Sequence, residues 1–229
     1  MIKLKNTNVY GFEAAIRGMR NPWNSWEKSD SVYSDAHNCE ECAHKEDFSV
    51  CYPNHIYNCF DIIIGENDLT LMKKLVNAGT DHSKFMRMVN VTCDITAPLY
   101  WWKEFDTYKV GTVRNSCSTM HTITDKKFTL DDFSHEHLTS GTKMCFERII
   151  ENLNYARQIY LETKDKLWWR QIIQLLPSSY NQRATVQLNY AVLRNMYHAR
   201  KNHPLGEWHD FCRWIENLPY SELITGGTA

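Results

Sequence analysis

Long apolar runs and a strong net charge are both missing from this sequence, and each absence excludes a class of protein. No run of about 18 apolar residues occurs, so we expect no membrane-spanning helix. The formal net charge is −1, which argues against a protein that coats nucleic acid, because such proteins need a basic excess. With 43% hydrophobic residues, the 229-residue chain can still build a sizeable core.

Targeting signals and common nucleotide-binding motifs are also absent. The first 19 residues lack the apolar core of a signal peptide. Neither a G-x-G-x-x-G sequence nor a Walker loop occurs, and no Ser/His/Asp set stands in a recognisable context. We therefore expect a cytoplasmic protein, in which the eight cysteines are thiols or metal ligands more often than disulfides.

Half of the cysteines lie in one stretch whose spacing is compatible with a metal site. Cys39, Cys42, Cys51 and Cys59 follow the pattern C-x2-C-x8-C-x7-C. Four thiolates would complete a closed, structural zinc site, which leaves no open position for catalysis. The alternative is a set of reduced thiols without metal. We treat residues 35–60 as a Cys-rich insertion.

Two stretches alternate between apolar and polar residues, which predicts two half-buried strands. Their apolar positions are Val89, Val91, Cys93 and Ile95 in the first stretch, and Ala184, Val186 and Leu188 in the second. Amphipathic helical patterns predict helices before, between and after these strands. The longest covers residues 143–164 and should bury a stripe that includes Leu153 and Ala156, and the last carries Trp208 among its apolar residues. The chain has no internal repeat or low-complexity linker, so one compact α/β domain over residues 1–229 is the simplest organisation.

The segment after the first strand combines a helix with a polar loop. The helix should begin near Pro98, with Thr96 as its cap. Gly111 and the polar run at 115–119 predict a loop whose amides, hydroxyls and cations could hold a phosphate. An ordinary surface loop is the alternative.

Two further patterns bear on packing. Trp23 and Trp26 lie in a polar loop, and because exposed indoles are costly in water we expect them to pack on the core or on a ligand. A helix is predicted after Gly65, with Asn67 or Asp68 as its cap.

The order of these elements resembles that of the flavin-dependent thymidylate synthases, over roughly residues 62–218. One anchor is the first strand, followed by Ala97-Pro98 and a helix that runs into the hydroxyl-rich loop. The second anchor is Leu176-Pro177, a strand containing Arg183, one helix with Asn189, Asn195 and Arg200, and then His203. Asn189 and Arg200 are eleven residues apart, which is about three helical turns, so they should project from the same side.

The chain departs from the family pattern in the first anchor. The family's Arg-His-Arg triplet corresponds to Thr107-Tyr108-Lys109, which keeps one cation, and the arginine of its Ser-x-Arg is absent. Arg87 stands where the family has a histidine. These differences, with the Cys-rich insertion, indicate a divergent branch.

The resemblance implies an α/β (α+β) domain with a central mixed or antiparallel sheet flanked by helices. It also implies a homotetrameric methyltransferase that uses FAD, NADPH and methylenetetrahydrofolate to convert dUMP to dTMP. Arg200 would bind dUMP and activate its ring, because a guanidinium stays charged. Arg183, Ser116 and Ser118 would bind the nucleotide phosphate. The flavin and folate pocket would be lined by Arg87, Lys109, Asn189, Asn195 and His203.

Two other functions stay open. One is a related flavoenzyme that acts on another pyrimidine nucleotide, since the missing cations alter the phosphate and flavin contacts. The other is a non-catalytic, nucleotide-binding or zinc-stabilised protein, in which Arg200 would only complement its helix dipole.

Overall fold

A four-stranded sheet with the order β1-β4-β6-β5 organises residues 2–33 and 62–226, which are the residues described by this computed structural model. In chain order the elements are β1 Lys3–Tyr10, α1 Phe12–Arg20, β2 Val32–Tyr33, β3 Ile62–Ile63, α2 Glu66–Asn77, β4 Asn90–Pro98, α3 Leu99–Phe105, β5 Val113–Ser116, α4 Thr119–Thr122, α5 Ser140–Thr163, α6 Lys166–Leu175, β6 Asn181–Asn189, α7 Tyr190–Arg200, α8 Gly206–Glu216 and α9 Glu222–Thr225. Strands β2 and β3 form a separate antiparallel pair.

The two predicted half-buried strands are confirmed as β4 and β6. Backbone hydrogen bonds join Tyr190 N to Val89 O and Leu99 N to Tyr180 O, each at 3.0 Å. Residue numbers fall along β6 as they rise along β4, so the two strands run antiparallel. The expected class, an α/β fold with an antiparallel sheet flanked by helices, is confirmed.

The chain divides into two compact units. The first consists mainly of Ile95–Thr107 and Asn115–Ala184. Here α5 packs against α6, and the predicted apolar stripe of α5 is buried at Ile150, Leu153 and Ala156. The start of α3 differs from the prediction, because Pro98 rather than Thr96 is the N-cap and no side chain caps the helix.

The second unit consists of the described parts of Leu4–Asp94, Tyr108–Arg114 and Thr185–Ala229. Phe12 lies at its centre, with its ring edge-on to Tyr190 at 5.5 Å and to Tyr220 at 5.2 Å between centroids. The predicted caps of α2 are wrong. Gly65 is the N-cap, and the backbone N–H groups of Asn67 and Asp68 donate to the Asp30 carboxylate instead.

A buried ion pair in the second unit joins α1 to α2. Arg20 Nε donates to Asp68 Oδ1 at 2.6 Å, and the two side chains are 6% and 0% exposed. The hydroxyls of Ser29 and Ser31 donate to the other carboxylate oxygen, Asp68 Oδ2, at 2.5 and 2.6 Å. Arg20 also donates to two backbone carbonyls of the loop after α1. Every oxygen of the carboxylate is thus hydrogen-bonded, which is the condition for a buried charge to be tolerated.

The loop that carries Trp23 and Trp26 lies at the surface. The two side chains are 87% and 56% exposed, so the prediction that they pack on the core is wrong. Trp26 Nε1 donates to Asn21 Oδ1 at 2.8 Å, which holds the indole within its own loop. Packing on a ligand stays a prediction.

Several expectations depend on which residues the structure describes. Within those ranges no helix is both long and apolar enough to cross a membrane. The four cysteines there, Cys93, Cys117, Cys145 and Cys212, are free thiols. The zinc prediction for Cys39, Cys42, Cys51 and Cys59 lies outside the described residues. One domain over residues 1–229 with its insertion also stays a prediction.

Replacing Asp68 with alanine should lower the free energy of unfolding by about 3–5 kcal/mol, because Arg20 would be left buried without its partner. Chemical denaturation measures the loss. Glu13→Ala is the matched control, since it breaks the exposed pair of Glu13 with Arg17 and should cost less than about 1 kcal/mol. Similar losses in both variants would contradict the stabilising role of the buried pair.

The same pair makes stability depend on pH. Burial raises the pKa of Asp68, but the hydrogen bonds from Ser29, Ser31 and Arg20 outweigh it, and the net pKa is lowered. The stabilisation is present above the ordinary pKa of aspartate, about 3.9, and is lost as the pH falls through the lowered value. The difference in the free energy of unfolding between the wild-type protein and Asp68→Asn, measured by chemical denaturation, should therefore become smaller at acidic pH.

Candidate functional site

The second unit contains a cavity of about 430 Å³. Its walls come from the end of α2 and the turn that follows, from the 3-10 turn Lys84–Arg87, from the loop before β5 and from the first half of α7. The lining residues are Val76, Asn77, Gly79, Thr80, Ser83, Met86, Arg87, Val110, Gly111, Asn189, Ala191, Val192, Arg194 and Asn195. Apolar walls therefore alternate with amides, hydroxyls and two guanidinium groups.

Asn189 occupies the point where β6 becomes α7. Its Oδ1 accepts the backbone N–H of Val192 at 3.0 Å and so caps the helix. The residue is only 9% exposed. Gly111, at φ +77°, lies so close that a side chain there would put its Cβ 2.8 Å from Asn189 Nδ2. A glycine is therefore required for this loop to approach the amide.

The cavity brings together three of the residues that the sequence predicted for cofactor binding. Arg87 ends the 3-10 turn with an exposed side chain, and Asn189 and Asn195 come from the start and middle of α7. Lys109 is exposed and precedes the lining residue Val110, but it does not itself belong to the described lining.

Arg194, which the sequence prediction missed, has a structural task. Its Nη1 donates to the carbonyls of Leu223, Ile224 and Gly226 at 3.3, 3.0 and 2.9 Å. Burial lowers the pKa of its guanidinium. The ordinary pKa of arginine is so high that the group still stays charged. Its position on α7 gave no signal, because carbonyl contacts leave no pattern in the sequence.

Arg200 and His203 lie together at the end of α7, beside two aromatic rings. The guanidinium carbon of Arg200 is 4.8 Å from the ring centroid of Trp208 and 5.6 Å from that of Tyr108. His203 lies 6.2 Å from Trp208, ring centroid to ring centroid. The sequence placed Trp208 among the apolar residues of the last helix, and Tyr108 only marked a departure from a motif, so their contact with Arg200 was not foreseen.

The three residues predicted for phosphate binding belong to the first unit. The backbone N–H of Cys117, which separates Ser116 from Ser118, donates to Arg183 O at 2.8 Å. Gln182 Nε2 donates to Cys117 O at the same distance. Ser118 Oγ accepts the N–H of His121, while the Arg183 side chain is exposed. Pairing between β5 and β6 thus places the two serines beside Arg183, although Ser116 lies in a strand rather than in the predicted loop.

Chemically, the cavity suits a planar ligand with a polar edge. Asparagine amides offer both donors and acceptors, and the apolar walls can cover the faces of a ring. Arg87 adds a permanent positive charge at the rim, which suits a phosphate. Because Asn189 is already oriented by its cap, its amide is held in place before any ligand binds.

Comparisons with known proteins establish the fold. No family model matches the sequence, and no curated protein matches it either. Among solved structures, the flavin-dependent thymidylate synthase ThyX of Helicobacter pylori, complexed with FAD and dUMP, superposes with a TM-score of 0.64 and 15% identity over 97% of each chain. A second structure of that enzyme with the same ligands gives the same two values, covering 98% of this chain and 97% of that one.

A UMP/dUMP methylase, PolB of Streptomyces cacaoi bound with 5-Br dUMP, is also similar. Its TM-score is 0.58 at 11% identity, and the match covers 98% of this chain and 95% of that one. The TM-scores and coverage establish a shared fold, and at 11–15% identity they establish the fold alone. The resemblance to flavin-dependent thymidylate synthases is therefore confirmed at the level of the fold.

Replacing Asn189 with alanine should lower the free energy of unfolding by about 1–2 kcal/mol, because α7 loses its cap. Asn189→Ser should recover most of the loss, since a serine hydroxyl can accept the same N–H. Asp165→Ala removes the exposed cap of α6 and is the matched control for the loss of a helix cap away from the cavity. Thermal or chemical denaturation compares the three variants, and equal stability of Asn189→Ala and wild type would contradict the capping role.

Proposed function

We propose that this chain is an FAD-dependent enzyme that transfers a one-carbon unit from methylenetetrahydrofolate to C5 of dUMP, with reduction through flavin and NADPH, giving dTMP. One observation carries the proposal: Arg87, Asn189 and Asn195 line a single cavity. The fold around that cavity is shared with an enzyme whose structure holds FAD and dUMP.

The residues around the cavity fit a flavin. The volume lies within the range of small-molecule sites, about 300–1,000 Å³. When bound, FAD supplies the hydride chemistry that the side chains of this chain cannot provide. Asn189 and Asn195 would hydrogen-bond the polar edge of the ring system, and Arg87 would pair with a phosphate. We keep Lys109 and His203 in the proposed flavin and folate pocket, although neither belongs to the described lining of this cavity.

Arg200 would bind dUMP and polarise the carbonyl side of its ring. A guanidinium is a cation with a rigid set of donors, so it can stabilise negative charge that develops on the pyrimidine. Arg183, Ser116 and Ser118 would bind the nucleotide phosphate. Their backbone pairing at Cys117 supports this role, because it keeps the two serines beside the arginine strand.

A second candidate is a flavoenzyme that modifies C5 of another pyrimidine nucleotide. The similarity to a protein described as a UMP/dUMP methylase supports it, as does the reduction of the Arg-His-Arg triplet to the single cation of Thr107-Tyr108-Lys109. Incubation of the protein with FAD, NADPH, methylenetetrahydrofolate and either dUMP or UMP, followed by mass spectrometry of the nucleotide, separates the two. A mass gain that corresponds to replacement of one hydrogen by a methyl group, seen with UMP but not with dUMP, would favour this candidate.

The assembly and location are part of the same proposal. A homotetramer and a cytoplasmic setting accompany the function through the family resemblance. Structural zinc at Cys39, Cys42, Cys51 and Cys59 is a separate proposal, which metal analysis of the purified protein tests.

Arg200→Ala should reduce dTMP formation by about 10²–10³-fold, as expected when a group that stabilises developing charge is removed. The retained flavin, measured from its absorption after gel filtration, should change little. Arg213→Ala is the matched control, because Arg213 is an exposed arginine on α8 paired with Asp210, and it should leave both measurements unchanged.

The two readouts distinguish the alternatives. Retained flavin without product from dUMP or UMP would point to a different substrate. Absence of retained flavin in the wild-type protein, with or without dUMP, would overturn the proposal. Unchanged product formation in Arg200→Ala would overturn the role of Arg200 alone.

A further inference from the structure

The side chain of Arg200 is held by an aromatic platform within the second unit. Its Nε donates to the hydroxyl of Tyr108 at 3.0 Å. Its guanidinium also lies over two rings, 4.8 Å from the centroid of Trp208 and 5.6 Å from that of Tyr108. These contacts combine a hydrogen bond within the guanidinium plane with attraction to two ring faces.

The rings beside Arg200 pack against one another and against the core. Trp208 is fully buried, with its ring edge-on to Phe211 at 5.7 Å between centroids. Tyr108 meets the same indole at 6.3 Å with an interplanar angle of 65°. His203 approaches the indole at 6.2 Å, and its backbone N–H donates to Arg200 O at 2.9 Å. The chain that follows Arg200 is therefore tied to the same group of rings.

Tyr108 belongs to the loop that also reaches the cavity. Two and three residues further on, Val110 and Gly111 line the cavity wall, and Gly111 lies against Asn189. One short loop thus contacts both the candidate flavin cavity and the guanidinium at the end of α7. A flexible arginine side chain has many rotamers, and contacts that select one of them before binding improve both binding and reactivity.

We propose that Tyr108 is a positioning residue for Arg200: its hydroxyl and ring fix the orientation of the guanidinium that the nucleotide meets. This inference rests on the proposed function, in which Arg200 binds dUMP. In this role Tyr108 acts through Arg200. The ring of Trp208 still contacts the guanidinium when Tyr108 is replaced. Loss of Tyr108 therefore loosens the Arg200 side chain without unfolding the site.

A double-mutant cycle tests the inference. The dissociation constant for dUMP is measured by calorimetry on the full chain with FAD added, for wild type, Tyr108→Phe, Arg200→Ala and the double variant. Tyr108→Phe should weaken dUMP binding about fivefold in the presence of Arg200, since it removes a hydrogen bond to a charged group. In the Arg200→Ala background it should change binding by less than about twofold, because its effect passes through the arginine.

Two further variants sharpen the result. Tyr108→Leu removes the ring as well as the hydroxyl and should weaken binding more than Tyr108→Phe. Tyr197→Phe is the matched control, because Tyr197 lies on the same helix as Arg200 and its hydroxyl donates to the carboxylate of Glu216, the last residue of α8. It should leave the dUMP dissociation constant unchanged. In turnover assays Tyr108→Phe should lower kcat more than it raises KM, the signature of a misoriented catalytic group.

Each outcome decides a separate claim. An equal effect of Tyr108→Phe in both backgrounds, or no effect in either, would overturn the positioning role. A wild-type protein that binds no dUMP would instead overturn the proposed function, and this inference with it. Because that failure is visible without any substitution at Tyr108, the two are distinguishable.

Discussion

The antiparallel pairing of β4 with β6 is the constraint on which the candidate site depends. Both strands bury alternate apolar side chains, so a shift of one residue would turn every buried position outward. Strand β6 passes directly into α7 at Asn189, whose side chain caps the helix it begins. The register of this strand pair therefore also fixes the point at which α7, the helix of Asn195 and Arg200, begins.

A second constraint is electrostatic. The Arg20–Asp68 pair lies in the interior of the second unit, where two serine hydroxyls complete the shell of the carboxylate. The loop after α1 contributes both the serines and the carbonyls that Arg20 binds. That loop is consequently fixed at its base, although it exposes Trp23 and Trp26 at its tip. Exposure of the indoles does not imply a mobile backbone.

Sequence periodicity predicted β4, β6 and the long helices because those elements bury one face each. The burial of Val91 in β4, Val186 in β6 and Leu153 in α5 follows directly from spacing. Family resemblance then supplied Arg87, Asn189 and Asn195, and the structure brings these three around one cavity. The roles assigned to them and to the other site residues stay predictions.

What the sequence could not supply are contacts between polar or aromatic groups far apart in the chain. Arg20 and Asp68 are 48 residues apart, and Tyr108 and Arg200 are 92 apart. No local period encodes such pairs. Capping residues were misassigned for a related reason: Asp30 caps α2 from a distant segment, which a search near the start of the helix cannot find.

The hydrogen bonds from Arg194 to the carbonyls of α9 also affect the stability of that helix. A four-residue helix is far too short to persist in water on its own, where roughly 12–15 residues are marginal. The guanidinium of Arg194 on α7 donates hydrogen bonds to carbonyls at the end of α9, as a C-terminal cap would otherwise do. Helix α9 therefore depends on α7 for its stability, and it should unfold whenever α7 does.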